Sequence, residues 1–343
     1  MARHDVARLT QWTAKVFASR GMPVADAEEA AALLVRSDLR GYTTHGMARV
    51  VSYCARLDSG EFNARPRLRD QRFPGGIVYD ADGAMGHVAL PRALRLGLQA
   101  LKETATVLVA IRECGHLGAL GIHALPAAEA GAFCLVGQRV PPILALPGFK
   151  KAAIGHNPIA FACPMPGAAP IVFDIACSVA ARGHILLAAR EGKPIPEGWA
   201  VDEDGEPTTD AARALKGSLV PMGGHKGIGI AMMVEVLAGA LAATAASLDP
   251  SRNQLSEGGA SSRQGAFLWL AKPGAFDLDG GQADYMRHWT DLYQSAAQGT
   301  ARLPGTRGEA LEREGLAKGV EVKPAIEKEL VALGEKLGIP FLS

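Results

Sequence analysis

The chain has 343 residues, enough material for two cores instead of one, and its 48% hydrophobic and 21% charged content is ordinary for a globular protein. Thirty-six Lys plus Arg against thirty-five Asp plus Glu leave a formal net charge of +1, so there is no basic field to bind nucleic acid or an anionic membrane. The opening "MARHDVARLTQW" holds no signal-like apolar stretch, no segment reaches the ~18 apolar residues of a membrane helix, and five scattered cysteines read as reduced packing residues, so a cytoplasmic protein is expected.

Val6, Leu9, Trp12 and Val16 recur at helical spacing, predicting a first helix up to Gly21-Met22-Pro23 and an alanine-rich second one running to Gly41. Thr43 or Thr44 is the expected cap of a third helix, "HGMARVVSYCARLDSG", with Met47, Val50, Val51 and Cys54 on its apolar face and Gly60 at its end. Short β-like runs follow from Pro66 to Leu90, and "PRALRLGLQALKETA" restores helical periodicity with Pro91 at its start. "TVLVAIREC" is a buried strand, "GHLGALGIHALPAAEAG" a helix and "AFCLVGQRV" another strand. Gly115-His116 therefore sits on a strand-to-helix turn, where binding residues commonly lie.

"NPIAFACP" and "PIVFDIA", joined by the turn-forming "MPGAA", predict antiparallel neighbours, which argues against a doubly wound parallel sheet. "SVAARGHILLAAREG" reads as a helix, and "IPEGWAVDEDGEPTTD" as a turn-rich stretch with a short hairpin. "GGHKGIGIAMMVEVLAGALAA" reads as a long helix buried nearly all round. "NQLSEGGASSRQG" is expected to be a mobile loop before the strand "AFLWLAKP", and two or three helices close the chain.

Four features bear on chemistry. His45 and Arg49 are four apart, so on a helix both can reach one ligand, the histidine for proton transfer and the arginine to grip a carboxylate. A surface histidine beside a solvated arginine looks the same. His116, between glycines at a strand mouth, is a second proton-transfer candidate or a turn histidine bonded to a carbonyl. Asp174 interrupts an apolar strand and needs a partner, either an imidazole or the helix that starts near Ser178. "PMGGHKGIG" puts Lys226 and four glycines before a long helix, which suits a phosphate or simply a tight turn. The nine histidines occur singly, with no zinc motif, no G-x-S-x-G and no paired C-x-x-C.

Taken in order, "LRGYTTHGMARV", "GHLGALG", "IGHNPIAFACP", "FDIACSVAARGHI", "IPEGWAVDEDGEPTTD" and "GGHKGIGIAMMVEVLAGAL" resemble the malate/L-lactate dehydrogenase family over nearly the whole chain. That family is distinct from the Rossmann-type lactate dehydrogenases and includes ureidoglycolate and sulfolactate dehydrogenases and Δ1-piperideine-2-carboxylate reductases. The resemblance implies a non-Rossmann α/β (α+β) fold that binds NAD or NADP, with a mainly antiparallel, mixed central sheet and a helical part formed by both chain ends. It implies residues 1–120 with 300–343 as the helical substrate and dimerisation part, 121–299 as the cofactor-binding domain, and a homodimer with sites near the subunit boundary. The implied reaction is reversible hydride transfer between nicotinamide and C2 of a small 2-oxo acid or its cyclic imine analogue.

By position, His45 and His116 match the family's active-site histidines, Arg49 its substrate-carboxylate arginine, and Asp174 the aspartate that supports the histidine. Thr44 shapes the entrance to the substrate site. His156, Asn157, Pro158, Asp174, Ala176, Ser178, His225, Lys226 and Gly227 fall on motifs of the cofactor cleft. The assignment favoured is His116 as the acid, with His45 holding the substrate. Thr44 stands in place of the usual serine, His156 in place of threonine, "ACS" in place of "ATS", and His184 in place of a frequent lysine. Gln138-Arg139 stands where Thr-Asn or Asn-Ser is frequent, and Arg139 is a candidate second cation for a dicarboxylate or a 2′-phosphate. Two other function classes compete: a nicotinamide-binding protein without turnover, and an acid/base lyase that uses the histidines and Asp174 alone.

Overall fold

The computed structural model describes residues 2–242 and 264–342, and all but the last two residues of the expected mobile loop lie outside them. The chain opens with a short strand β1 (Ala2–His4) and helices α1 (Val6–Ala18) and α2 (Val24–Leu39). Asp5 caps α1 by accepting from the Arg8 amide, and the small Ala27, Ala30 and Ala31 let α2 sink into the core. The third helix begins later than the periodicity predicts: a 3-10 turn at Met47–Arg49 precedes α3 (Val50–Asp58). Neither Thr43 nor Thr44 caps it. The Asp38 carboxylate reaches from α2 to accept the Met47 amide at 2.7 Å, and a Cβ on Gly46 would overlap that carboxyl.

A hairpin of β2 (Arg69–Phe73) and β3 (Gly76–Asp80) leads to α4 (Gly86–Ala100), β4 (Thr106–Cys114), α5 (Leu120–Glu129) and β5 (Phe133–Gln138). Pro91 lies inside α4 instead of at its start, and α5 begins at Leu120, leaving Gly115–Ala119 as an extended turn. The antiparallel pair β6 (Ile159–Met165) and β7 (Ala168–Ile175) comes next, as predicted. Helix α6 (Arg182–Glu191) is followed by the short strands β8 (Ala200–Val201) and β9 (Pro207–Thr208), helix α7 (Ala211–Lys216) and strand β10 (Ser218–Leu219). Helix α8 (His225–Val234) continues as a π-helical segment, Glu235–Ala240. It is not buried all round, because Met232 and Val236 are each 56% exposed. Strand β11 (Gln264–Ala271), helices α9 (Gln282–Ala296) and α10 (Thr306–Lys318), strand β12 (Val320–Val322) and helix α11 (Pro324–Leu337) complete the described chain.

Seven strands form one sheet in the order β2-β3-β4-β11-β5-β6-β7, in which only β3 and β4 run parallel. The apolar runs of β4, β5 and β11 are mostly buried, consistent with their lack of polar alternation, although Trp269 of β11 stays 37% exposed. Both chain ends close over the sheet: β1 pairs with β12, and the Trp12 indole donates to the Ile339 carbonyl at 3.0 Å. The division expected at residue 120 runs through this sheet, since β4 is hydrogen-bonded to β11. A separate smaller core instead gathers Leu144, Cys177, Ile185, Ile195, Leu219 and Ala231 beside the β7 edge and α8. Among the described residues no helix is long and apolar enough to cross a membrane.

Candidate active site

His45 and His116, 71 positions apart in the chain, meet face to face with ring centroids 5.9 Å apart and planes inclined by 26°. His45 lies on the turn that precedes α3: its amide donates to the Tyr42 carbonyl, and its Nδ1 shares a hydrogen bond with the Thr44 hydroxyl at 2.9 Å. The same turn is held by Arg49, whose Nε donates to the Thr44 carbonyl at 2.7 Å. Tyr53, one helical turn beyond Arg49, places its hydroxyl 2.7 Å from His116 Nδ1. Both imidazoles are half-buried, enclosed by protein yet open to an entering ligand.

That enclosure sets their charge. Burial, then the Arg49 guanidinium and the His156 ring, bring the His45 pKa down to about 4. Burial followed by Arg49 and His45 holds His116 well below the ordinary imidazole range. Each is therefore neutral at neutral pH, and the guanidinium is the cation beside them.

The His116 turn is fixed from two sides. Glu113, next to last in strand β4, lies in the left-handed region at φ 53°, and the Gly115 amide donates to the Ala84 carbonyl at 2.8 Å. A Cβ on Gly86, the first residue of α4, would overlap the His116 carbonyl oxygen and lie 2.7 Å from Leu117 Cα, so the close approach requires glycine. From the other side the buried Gln138 carboxamide, at the end of β5, accepts from the Leu117 amide at 3.0 Å and donates to the Gly115 carbonyl at 2.9 Å. Sequence reasoning missed Tyr53 and gave Gln138 no role. The signals present were a tyrosine one turn after Arg49 and the lone polar side chain closing "FCLVGQ".

Asp174 is the main correction. Its carboxylate accepts from the Gly121 amide at 2.8 Å, with Leu120 also lowering its pKa, so it caps α5 and no histidine bonds it among the described residues. Burial outweighs these contacts and raises its pKa to about 6. The imidazoles take their partners from the Thr44 and Tyr53 hydroxyls instead.

The motifs read as a cofactor cleft converge through the backbone. The Cys177 amide donates to the His156 carbonyl at 2.8 Å, the Met222 amide to Cys177 at 2.9 Å and the Gly227 amide to Met222 at 2.9 Å. This stitches 156–158, 176–178 and the start of α8 into one wall. Gly227 is obligatory there, since a Cβ would overlap the Met222 carbonyl, while His225 and Lys226 stand exposed on the first turn of α8. Pro158 accepts from the Gln138 amide, and Ala176 sits half-buried between the two layers.

Two of the expected ligand contacts are engaged inside the protein. Asn157, fully buried at φ 23°, accepts from the Val140 amide and donates to the Ala231 carbonyl and the Glu235 carboxylate, so its side chain locks β5 to α8. Arg139 pairs through its Nε with the same Glu235 at 3.0 Å.

A nicotinamide dinucleotide is tested against this wall by its unsatisfied atoms. Among the described residues Ser178 Oγ and His156 Nδ1 are buried without a hydrogen-bond partner, and the amide-rich start of α8 with Lys226 lies beside Ser178 through the Ser178–Pro221 bridge. Buried polar atoms left open on a glycine-lined helix N-terminus fit a polar, phosphate-bearing ligand. A groove of about 590 Å³ between α1 and α2 lies elsewhere, and no imidazole lines it.

A family model described as malate/L-lactate dehydrogenase matches residues 4–331. The Δ1-pyrroline-2-carboxylate/Δ1-piperideine-2-carboxylate reductase of Pseudomonas aeruginosa is 34% identical over 98% of this chain and 100% of its own length. The NADP+-dependent (2R)-3-sulfolactate dehydrogenase of Chromohalobacter salexigens is 36% identical over 91% of this chain and 92% of its own. Among solved structures, the Δ1-piperideine-2-carboxylate reductase of Pseudomonas syringae pvar. tomato superposes with a TM-score of 0.85 at 29% identity, covering 97% of this chain and all of that one. The paired imidazoles, the guanidinium beside them and the glycine-lined wall thus belong to a nicotinamide-dependent oxidoreductase, and the chain is a member of the malate/L-lactate dehydrogenase family.

Proposed function

We propose that the protein transfers hydride reversibly between nicotinamide and C2 of a small 2-oxo or 2-hydroxy acid, or of the cyclic imine equivalent, with His116 moving the proton. The observation that carries this reading is the stacked His45–His116 pair with Arg49 against it. NAD or NADP, when bound, supplies or accepts the hydride. Ser178, His156 and the Gly223–Gly227 turn would hold it.

The protein's own residues account for the proton. A Tyr53 hydroxyl donating to His116 Nδ1 leaves the imidazole proton on Nε2, the nitrogen free to face a substrate. Arg49 is anchored by its Nε to Thr44, leaving its terminal nitrogens for a carboxylate. Burial is the main cause that holds the His116 pKa down and the Arg49 guanidinium the next, so an arriving carboxylate, by neutralising Arg49, removes part of what disfavours the imidazolium. His45, neutral and held by Thr44, hydrogen-bonds the substrate from the opposite side.

One observation favours a substrate with a single carboxylate, as in a cyclic imine 2-carboxylate or a simple 2-oxo monoacid. Arg139, the candidate for a second carboxylate, already has its charge compensated by the Glu235 carboxylate, whereas Arg49 is anchored by a neutral carbonyl. We further place the protein in the cytoplasm as a homodimer. Tyr285, Trp289, Leu292 and Tyr293 leave an exposed apolar stripe on α9, and Met232, Met233 and Val236 leave another on α8, which a second copy would cover.

The test follows reduced-nicotinamide absorbance with NADH and NADPH against pyruvate, oxaloacetate, longer 2-oxo acids and five- and six-membered cyclic imines. Turnover of monocarboxylates with weak or no oxaloacetate activity is expected. Inactivity throughout, with calorimetric binding of a nicotinamide cofactor, would instead support a binding protein without turnover. Turnover of a substrate without any nicotinamide would support the lyase reading.

A further inference from the structure

We infer that Gln138 is a positioning residue for His116: its carboxamide clips the Gly115 carbonyl and the Leu117 amide, the two backbone groups flanking that histidine, and so fixes where the imidazole stands. The inference rests on the functional reading above, in which His116 carries the proton.

Three observations support it. The clip is bidentate, with donor and acceptor both used: Gln138 Oε1 accepts at 3.0 Å and Nε2 donates at 2.9 Å. Gln138 is 1% exposed and closes a strand whose own amide is bonded to Pro158 in the cofactor wall, so the residue links that wall to the proton-carrying turn. Finally, nothing in a strand-to-helix turn dictates the His116 backbone by itself. Residues 115–119 belong to no helix or strand; Gly86 and Ala84 hold the turn from the α4 side and His123 Nε2 holds the Leu117 carbonyl at 2.7 Å from α5, but among the described residues only Gln138 bonds backbone groups on both sides of His116. Removing the clip leaves a buried N–H and a buried C=O without partners, and the turn relieves this only by moving. Displacements of about 1 Å at a proton-transfer group lower the rate by about 100-fold while leaving ligand binding nearly intact.

A carboxamide is also the side chain that serves both groups at any pH. A carboxylic acid of the same length does so only while protonated, because its ionised form cannot donate to the Gly115 carbonyl. That difference separates positioning from bulk stability.

The experiment compares wild type, Gln138→Met and Gln138→Glu for kcat, KM and nicotinamide-cofactor Kd from pH 5.5 to 9, with thermal melts and amide hydrogen exchange at Leu117. For Gln138→Met we expect kcat to fall about 10- to 100-fold, with KM and cofactor Kd within about 3-fold of wild type. For Gln138→Glu we expect kcat near wild type at acid pH and an alkaline loss that sets in at lower pH than in wild type. The Leu117 amide of the unaltered protein should exchange as slowly as the amides of β5. Folded Gln138→Met with kcat within 2-fold of wild type overturns the proposal, as does a Gln138→Glu pH profile parallel to wild type or a rapidly exchanging Leu117 amide. If neither variant folds, the exchange rate in the unaltered protein decides. Absence of hydride transfer by wild type would defeat the functional reading instead, leaving the clip to be judged by exchange alone.

Discussion

Replacing Asp38 by Asn should stabilise the protein at alkaline pH and leave it unchanged in acid. Asp38 is largely enclosed beneath the His45 turn, where it accepts the Met47 amide, and burial raises its pKa from 3.8 to about 7 against the opposing pull of that amide and of Lys323. The folded state therefore binds the proton more tightly than the unfolded chain, so the Asp38 contribution is fully present below pH 3.8 and is lost as pH rises through 7. A shift of this size corresponds to about 4 kcal/mol between the two limits, and solvent relaxation around a partly accessible carboxyl lowers the expected value to about 2–4 kcal/mol. Asn keeps the acceptor for the Met47 amide and carries no charge at any pH. Urea unfolding of wild type and Asp38→Asn at pH 4.5, 6, 7 and 8.5 should give a stability difference of no more than about 1 kcal/mol at the acid end that grows up to pH 7 in favour of the variant and then levels off. A variant less stable than wild type at pH 8.5 would show that the ionised carboxylate is the form the fold uses, and would refute the reasoning.

Other consequences follow from the same geometry. Gly86→Ala, normally a gain of about 0.5–1 kcal/mol in a helix, should cost about 1–3 kcal/mol in urea unfolding and lower kcat at least about 10-fold, because the new methyl displaces the His116 carbonyl. Arg49→Lys should raise the carboxylate substrate's KM about 10- to 100-fold in steady-state assays with cofactor Kd unchanged, since an ammonium cannot reproduce the planar fork. His45 and His156 both drop from 6.5 to about 4 on folding, so stability held above pH 6.5 should be lost as pH falls toward 4. His156→Thr should flatten that acid limb in thermal melts.

Much of the fold was legible because local chemistry and tertiary demand agreed. "TVLVAIREC", "AFCLVGQRV" and "AFLWLAKP" could only be buried strands, and "MPGAA" forced β6 and β7 antiparallel. The errors arose where a distant group overrode a local signal. Thr44 looked like a helix cap, but Asp38 supplies the acceptor from α2, and the helix starts later. Pro91 looked like a helix start, but the close packing of Gly86 against His116 sets where α4 begins. The apolar "IAMMVEVLAGAL" looked like a core helix, whereas Met232 and Val236 face outward, which an all-apolar run does not reveal.

The site shows the same division. His45, His116 and Arg49, which the structure brings together, stood out because their residue types suit proton transfer and anion binding. Asp174 was misread because a carboxylate ending a strand serves an imidazole or a helix N-terminus equally well, and only the position of Gly121 decides. Arg139 and Asn157 were read as ligand contacts because their shared partner Glu235 sits about 80 to 100 positions away, beyond any local pattern. Gln138 went without a role because its work is done on backbone atoms, which sequence shows at every position alike.

The central claim is that His116 moves the proton that accompanies hydride transfer. Its most direct measurement is single-turnover oxidation of NADH or NADPH by wild type and His116→Asn on the best 2-oxo acid or cyclic imine. The account predicts a rate constant at least about 100-fold lower in the variant with cofactor Kd unchanged. A variant that oxidises the cofactor at the wild-type rate would contradict it.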